Sequence, residues 1–140
     1  MRDAARERRV VFVCTHNAGR SIVAAALLNA RQPPGVTADS AGTDPADAFN
    51  ATVVAALAER GISLAGVSPK PITAELLAGA DLVVTMSRHP TGPTLPEAST
   101  PHEHWRLDFP GDDLAAMRTF CAGVDQRLQA LLADLDPPSR

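Results

Sequence analysis

One segment constrains this chain more than any other. Val10-Val11-Phe12-Val13 is followed by Cys14-Thr15-His16-Asn17-Ala18-Gly19 and then by Arg20-Ser21-Ile22-Val23-Ala24-Ala25-Ala26-Leu27-Leu28. Four consecutive apolar residues predict a short strand buried on both faces. The stretch ending in Gly19 reads as a tight loop, and Arg20 to Ala30 reads as a helix that stops before Pro33-Pro34. Strand, loop and helix in this order gather inward-pointing backbone N–H groups at a helix start, which is a nest for an anion. Arg20 adds a planar fork matched to two oxygens of a tetrahedral oxyanion. Cys14 lies at the floor of that pocket, and the same positive field favours its thiolate.

The chain also carries a decoy. Cys121 and Arg127 repeat the spacing of Cys14 and Arg20, and twelve of the 13 basic residues are arginines, so the spacing alone is weak. Cys121 falls in a helical pattern with Leu114, Met117, Phe120, Val124, Leu128 and Leu131. Six helical steps place Cys121 and Arg127 roughly 120° apart and about 9 Å along the axis, so they cannot enclose one anion. Cys121 is therefore expected in the core.

The rest of the chain alternates strand and helix signals. Val36 to Ala41 is a second strand, closed by Gly42. Asn50 caps a helix through Val53, Val54, Leu57 and Ala58 that Gly61 stops. Thr73 opens a short helix, Ala74 to Ala78. Leu82 to Met86 is a third strand, Ser87 to Pro101 a loop, and His104 to Leu107 a fourth strand. Asp112 or Asp113 starts a last helix that runs to about Leu135. This alternation predicts a single-domain α/β fold, a four-stranded parallel sheet in the order 2-1-3-4 with helices on both faces. Ligands in such sheets bind at the carboxyl ends of the strands, beside the switch point, where the Cys14 loop would stand. The expected domain is 10–136, preceded by a flexible tail, 1–9.

Composition narrows the class of protein. A net charge of −3 argues against a nucleic-acid surface. No segment approaches the ~20 apolar residues of a membrane span, and Met1 to Arg9 lacks the apolar run of a secretory signal. Two distant cysteines form no disulfide framework, and a cytoplasmic setting suits a working thiolate. His89, His102 and His104 lack metal-ligand spacing, so no metal is expected.

The chemistry follows from the loop. Thr15, His16, Asn17, Ala18, Gly19, Arg20 and Ser21 form the expected oxyanion-binding set. Gly19 is expected to hold a backbone conformation closed to other residues. Ser21 can donate a hydrogen bond to the Cys14 sulfur, and Asn17 can brace the loop. His16 either tunes the thiolate or faces solvent. A thiolate under a tetrahedral oxyanion is placed for in-line attack. The acid for the leaving group is sought in Asp108, which follows the last strand. One of Asp112 and Asp113 is expected to cap the final helix.

The loop Cys14 to Ser21 resembles the signature of the low-molecular-weight protein tyrosine phosphatase superfamily, and its His-Asn-Ala-Gly-Arg-Ser wording resembles the arsenate reductase branch. Asp39-Ser40-Ala41-Gly42-Thr43, Ser68-Pro69-Lys70-Pro71, Ala80 to Met86 and His104-Trp105 match in order. The resemblance implies Cys14 as nucleophile, Arg20 as oxyanion clamp, Ser21 as thiolate stabiliser and Asn17 as loop brace. The family's acid is an Asp directly before a Pro; here Phe109 precedes Pro110 and Asp108 stands one place earlier. The further cysteine pair of thioredoxin-coupled arsenate reductases is missing from Met86 to Thr94, and the chain has no tyrosine. The resemblance is thus to single-cysteine, mycothiol-coupled arsenate reductases. It implies no bound cofactor, an arsenate or phosphate-type oxyanion, an external thiol such as mycothiol or glutathione, and a glutaredoxin or mycoredoxin as partner. A phosphatase working through a phosphocysteine intermediate is the alternative. An oxyanion-binding protein with little turnover is a third.

Overall fold

A computed structural model describes residues 7–90, 92, 95 and 101–135 of the 140. The elements run β1 (Arg8–Cys14), α1 (Arg20–Ala30), β2 (Val36–Gly42), α2 (Ala51–Glu59), α3 (Ala74–Ala78), β3 (Leu82–Ser87), β4 (His102–Arg106) and α4 (Leu114–Leu135). The four strands form one parallel sheet in the order β2-β1-β3-β4. Among the described residues, no helix is long and apolar enough to cross a membrane.

The apolar run of β1 is buried on both faces because the sheet is covered on both. Val10 and Phe12 face the larger core with α1, α2 and α4, while Val11 and Val13 pack with Leu77 of α3 and Val83 of β3. The second layer is thin, since α3 has only five residues, started by Thr73, whose hydroxyl accepts from the Leu76 N–H. Capping also sets the other helix starts. Asn50 Oδ1 accepts from the Thr52 and Val53 N–H groups at α2, and Asp113 Oδ1 from Ala115 and Ala116 at α4.

Several strand boundaries differ from the sequence reading: β3 runs one residue further, to Ser87, and β1 and β4 differ more. β1 starts at Arg8, inside the expected tail 1–9: Arg8 and Arg9 pair with Val36 and Thr37 of β2, and the Arg9 N–H also reaches Asp81 Oδ2 at 2.8 Å. Main-chain pairing extends this strand ahead of its first apolar residue, Val10, so hydropathy marks its start too late. Residues 1–6 of that tail lie outside the described residues, as does Asp136 of the expected domain. β4 spans His102–Arg106 rather than 104–107. It is an edge strand with only Trp105 buried, and it gives no apolar run to read. Trp105 anchors it, its ring 5.8 Å from that of Phe12.

β1 lies between β2 and β3, with Cys14 opposite Gly42 and Val13 opposite Thr85. The chain after Cys14 therefore leaves the carboxyl edge of the sheet at the switch point, where α1 begins six residues later, at Arg20.

Candidate active site

The main chain of the loop is turned inside out by its neighbour. The carbonyls of Cys14, Thr15, His16 and Ala18 accept from the N–H groups of Thr43, Asp44, Ala46 and Asn50, at 3.2, 2.7, 3.0 and 3.0 Å. With these carbonyls held outward, the N–H groups of residues 15–20 have no protein acceptor among the described residues. Together with the start of α1 they form the expected anion nest.

Two glycines let the chains come this close. A Cβ on Gly42 would lie 2.6 Å from the Thr15 carbonyl oxygen and 2.9 Å from the Asn17 nitrogen, so the end of β2 can support the loop only as glycine. The sequence offered a signal for this, a glycine ending the strand beside the loop, but spacing alone gave it no role. Gly19 has φ −142° and ψ −86°, so no positive φ is required of it; a Cβ there would lie 2.6 Å from Phe109 Cε1, and the ring would have to move. The left-handed residue of the loop is Asn17, at φ 52°, a conformation that asparagine tolerates.

Asn17 is 1% exposed and makes two bonds. Its Oδ1 accepts from the Lys70 N–H at 3.0 Å, and its Nδ2 donates to Ser21 Oγ at 2.8 Å. Ser21 Oγ stands 3.0 Å from Cys14 Sγ. Because Ser21 already accepts from Asn17, its own proton is free to point at the sulfur. A directed chain thus runs from the 68–71 segment through Asn17 and Ser21 to the thiol, with both intermediate side chains buried. Fully satisfied buried chains of this kind hold one geometry.

Arg20 is half-buried. Its Nε donates to the Leu107 carbonyl at 2.8 Å, and its guanidinium carbon lies 5.5 Å from the centroid of the Phe109 ring. Burial lowers its pKa below the usual arginine value; Cys14 and Asp108 oppose that shift and Arg88 adds to it. An arginine remains charged in either case. With Nε engaged, the two terminal nitrogens are left for an anion.

These groups enclose a cavity of about 230 Å³, lined by Cys14, Thr15, His16, Ala18, Gly19, Arg20, Asn50 and Phe109. Of the expected oxyanion-binding set, Asn17 and Ser21 stand behind the wall rather than in it. Asn50 and Phe109 are lining residues that the sequence reading did not assign. Two larger cavities, about 670 and 470 Å³, flank the segment 61–68, but neither reaches Cys14. His16 is exposed at the rim, its Nδ1 2.9 Å from the Asp44 carbonyl. A carbonyl only accepts, so Nδ1 carries the proton of the neutral ring.

Asp108 does not line the cavity. It is exposed, close enough to Arg20 to act on its charge, while the wall itself is the apolar ring of Phe109. Asp112 is also exposed, and Asp113 is taken by the cap of α4. His104 is bound within the fold, between Thr85 Oγ1 at 2.8 Å and the His89 carbonyl at 2.9 Å.

The sequence profile of the family described as low molecular weight phosphotyrosine protein phosphatase matches residues 9–136. The chain belongs to this phosphatase family. A protein of Halobacterium salinarum named "Putative arsenate reductase" is 29% identical over 132 residues, covering 90% of this chain and 92% of its own. An arsenate reductase of Archaeoglobus fulgidus superposes with a TM-score of 0.76 at 32% identity, over 89% of this chain and 98% of that one. A thioredoxin-dependent arsenate reductase of Corynebacterium glutamicum gives 0.74 at 31% identity, over 94% of this chain but only 63% of that longer one. Proteins named as arsenate reductases are thus among the chains similar to this one.

Cys121 occupies the core, fully buried on α4 with Met117, Val124 and Leu128, and burial pushes its thiol pKa up. Small alkylating reagents are therefore expected to modify one of the two thiols in the native protein and both after denaturation, read by intact mass. Peptide mapping should place the native label on Cys14.

Proposed function

We propose that this chain is an arsenate reductase of the single-cysteine kind, in which Cys14 passes arsenic to an external thiol. The observation that carries the reading is the thiol inventory of the site. Cys14 is at the nest and Cys121 is sealed in the core on α4, so no second cysteine of the chain can attack a Cys14 adduct. The relatives named as arsenate reductases support the oxyanion.

The Cys14 thiolate attacks arsenic in dihydrogen arsenate; a sulfur–arsenic bond forms, an arsenic–oxygen bond breaks, and the departing hydroxide takes a proton from solvent to leave as water. The nest and Arg20 hold the remaining oxygens. A low-molecular-weight thiolate, mycothiol or glutathione, then displaces Cys14 at arsenic. A second thiol, from the same pool or from a mycoredoxin or glutaredoxin, attacks the sulfur of that adduct. A disulfide forms, two electrons pass to arsenic, and arsenite departs. The reducing cytoplasm is the compartment that supplies such thiols.

A phosphatase acting through a phosphocysteine is the second reading. The family's description favours it, and Asp108 acts on the charge of Arg20. A phenolate leaving group needs an acid, and Asp108 is not among the residues that line the cavity.

Arsenate reduction should be assayed with mycothiol plus mycoredoxin and with glutathione plus glutaredoxin, beside hydrolysis of p-nitrophenyl phosphate. Arsenate turnover dependent on the added thiol is expected. Aryl phosphate turnover that falls in Asp108→Asn, with no arsenate turnover, would promote the phosphatase. Tight phosphate binding with neither turnover would leave an oxyanion-binding protein.

A further inference from the structure

The contacts of Phe109 are specific, and the chemistry above leaves them unused. Its ring is one wall of the oxyanion cavity. The Arg20 guanidinium lies over it, and the ring edge stands so near Gly19 that a Cβ there would be 2.6 Å from Cε1 and 2.7 Å from Cζ. Phe120 of α4 holds the ring from the other side, centroids 5.6 Å apart at 82°. Two residues earlier, the Leu107 carbonyl takes the Arg20 Nε. The segment after β4 therefore grips Arg20 twice, by one hydrogen bond and one ring face. A guanidinium over an aromatic face gives up water on that side while keeping an electrostatic attraction. A fork fixed beforehand loses less freedom when an anion arrives.

We propose that Phe109 is a positioning and specificity residue: it clamps the Arg20 fork and, matched to Gly19, walls the cavity so that it takes small inorganic tetrahedral oxyanions in preference to aryl esters. This rests on the oxyanion–thiol reading above. The ring occupies room beside the nest that a bulky substituent on the anion would use, and it has no proton to give a departing phenolate. Gly19 and Phe109 form a pair in which each limits the size of the other.

The test compares Phe109→Ala, Gly19→Ala and the double variant Gly19→Ala/Phe109→Ala, each checked for native circular dichroism. Phe109→Leu replaces Phe109→Ala if the latter does not fold. Inorganic phosphate affinity is read by calorimetry, and the ratio of kcat/KM for arsenate to that for p-nitrophenyl phosphate by assay. Phe109→Ala is expected to weaken phosphate binding about fivefold and to lower the ratio about tenfold. Gly19→Ala should weaken phosphate binding, and the double variant should recover part of the loss because the clash is gone. Phosphate affinity and ratio both unchanged in Phe109→Ala, or a double variant no better than Gly19→Ala, would overturn the proposal. Phosphate affinity requires no turnover. A native protein that binds phosphate but reduces no arsenate would therefore defeat the reductase reading while the affinities still decide the role of Phe109.

Discussion

Cys14→Ser is expected to lower arsenate turnover by at least about a thousandfold while leaving inorganic phosphate binding within about threefold of native. The two halves have different physical origins. Turnover needs the nucleophilicity of a sulfur atom, and a serine hydroxyl lacks it. Its oxygen would also sit short of the position held by the sulfur, which is fixed 3.0 Å from Ser21 Oγ. Binding is the work of the main chain and Arg20. The carbonyls of the loop are held outward by Thr43, Asp44, Ala46 and Asn50, and none of those bonds involves the Cys14 side chain. Steady-state rates with the thiol couple, set beside phosphate calorimetry, check both halves. Turnover that falls less than about tenfold would mean that the sulfur of Cys14 is not the attacking atom.

The legible and illegible parts of this chain divide along a physical line. β1 and α1 could be read because their side chains report burial directly, Val10 to Val13 on two faces and Ile22 to Leu28 along a helix. Asn50 and Thr73 could be read as caps because capping is a local bond between neighbours in sequence. Cys121 could be separated from Cys14 because helical periodicity is local as well. What escaped was long-range. Arg8 and Arg9 belong to β1 through pairing with β2, which hydropathy does not report. The glycine requirement at 42 comes from the backbone of Thr15 and Asn17, far away in the chain, and the crowding at 19 from the ring of Phe109, 90 positions on. Asp108 was placed near the site by counting from the last strand. Counting cannot tell which of two neighbouring residues turns inward, and the structure turns Phe109 to the cavity and Asp108 to solvent.

Arg20→Lys should lower kcat/KM for arsenate by about a hundredfold and weaken phosphate binding by about tenfold, although it conserves the charge. Arg20 performs three tasks at once. Its Nε bonds the Leu107 carbonyl, its plane lies over Phe109, and its two terminal nitrogens remain for the anion. A lysine has one nitrogen at the end of a flexible stem and three donors that diverge. If that nitrogen reaches the anion, the Leu107 carbonyl loses its partner; if it stays with Leu107, the anion loses the fork. The loss in rate should exceed the loss in binding, because the negative charge shifts among the oxygens as the arsenic–oxygen bond breaks, and two parallel N–H groups follow that shift better than a point charge. Arg20→Met separates charge from geometry: it should weaken phosphate further than lysine does, by about another tenfold. Equal phosphate affinity for native protein and Arg20→Lys, with equal kcat/KM, would show that Arg20 acts through charge alone and that its attachment to Leu107 and Phe109 is incidental to catalysis.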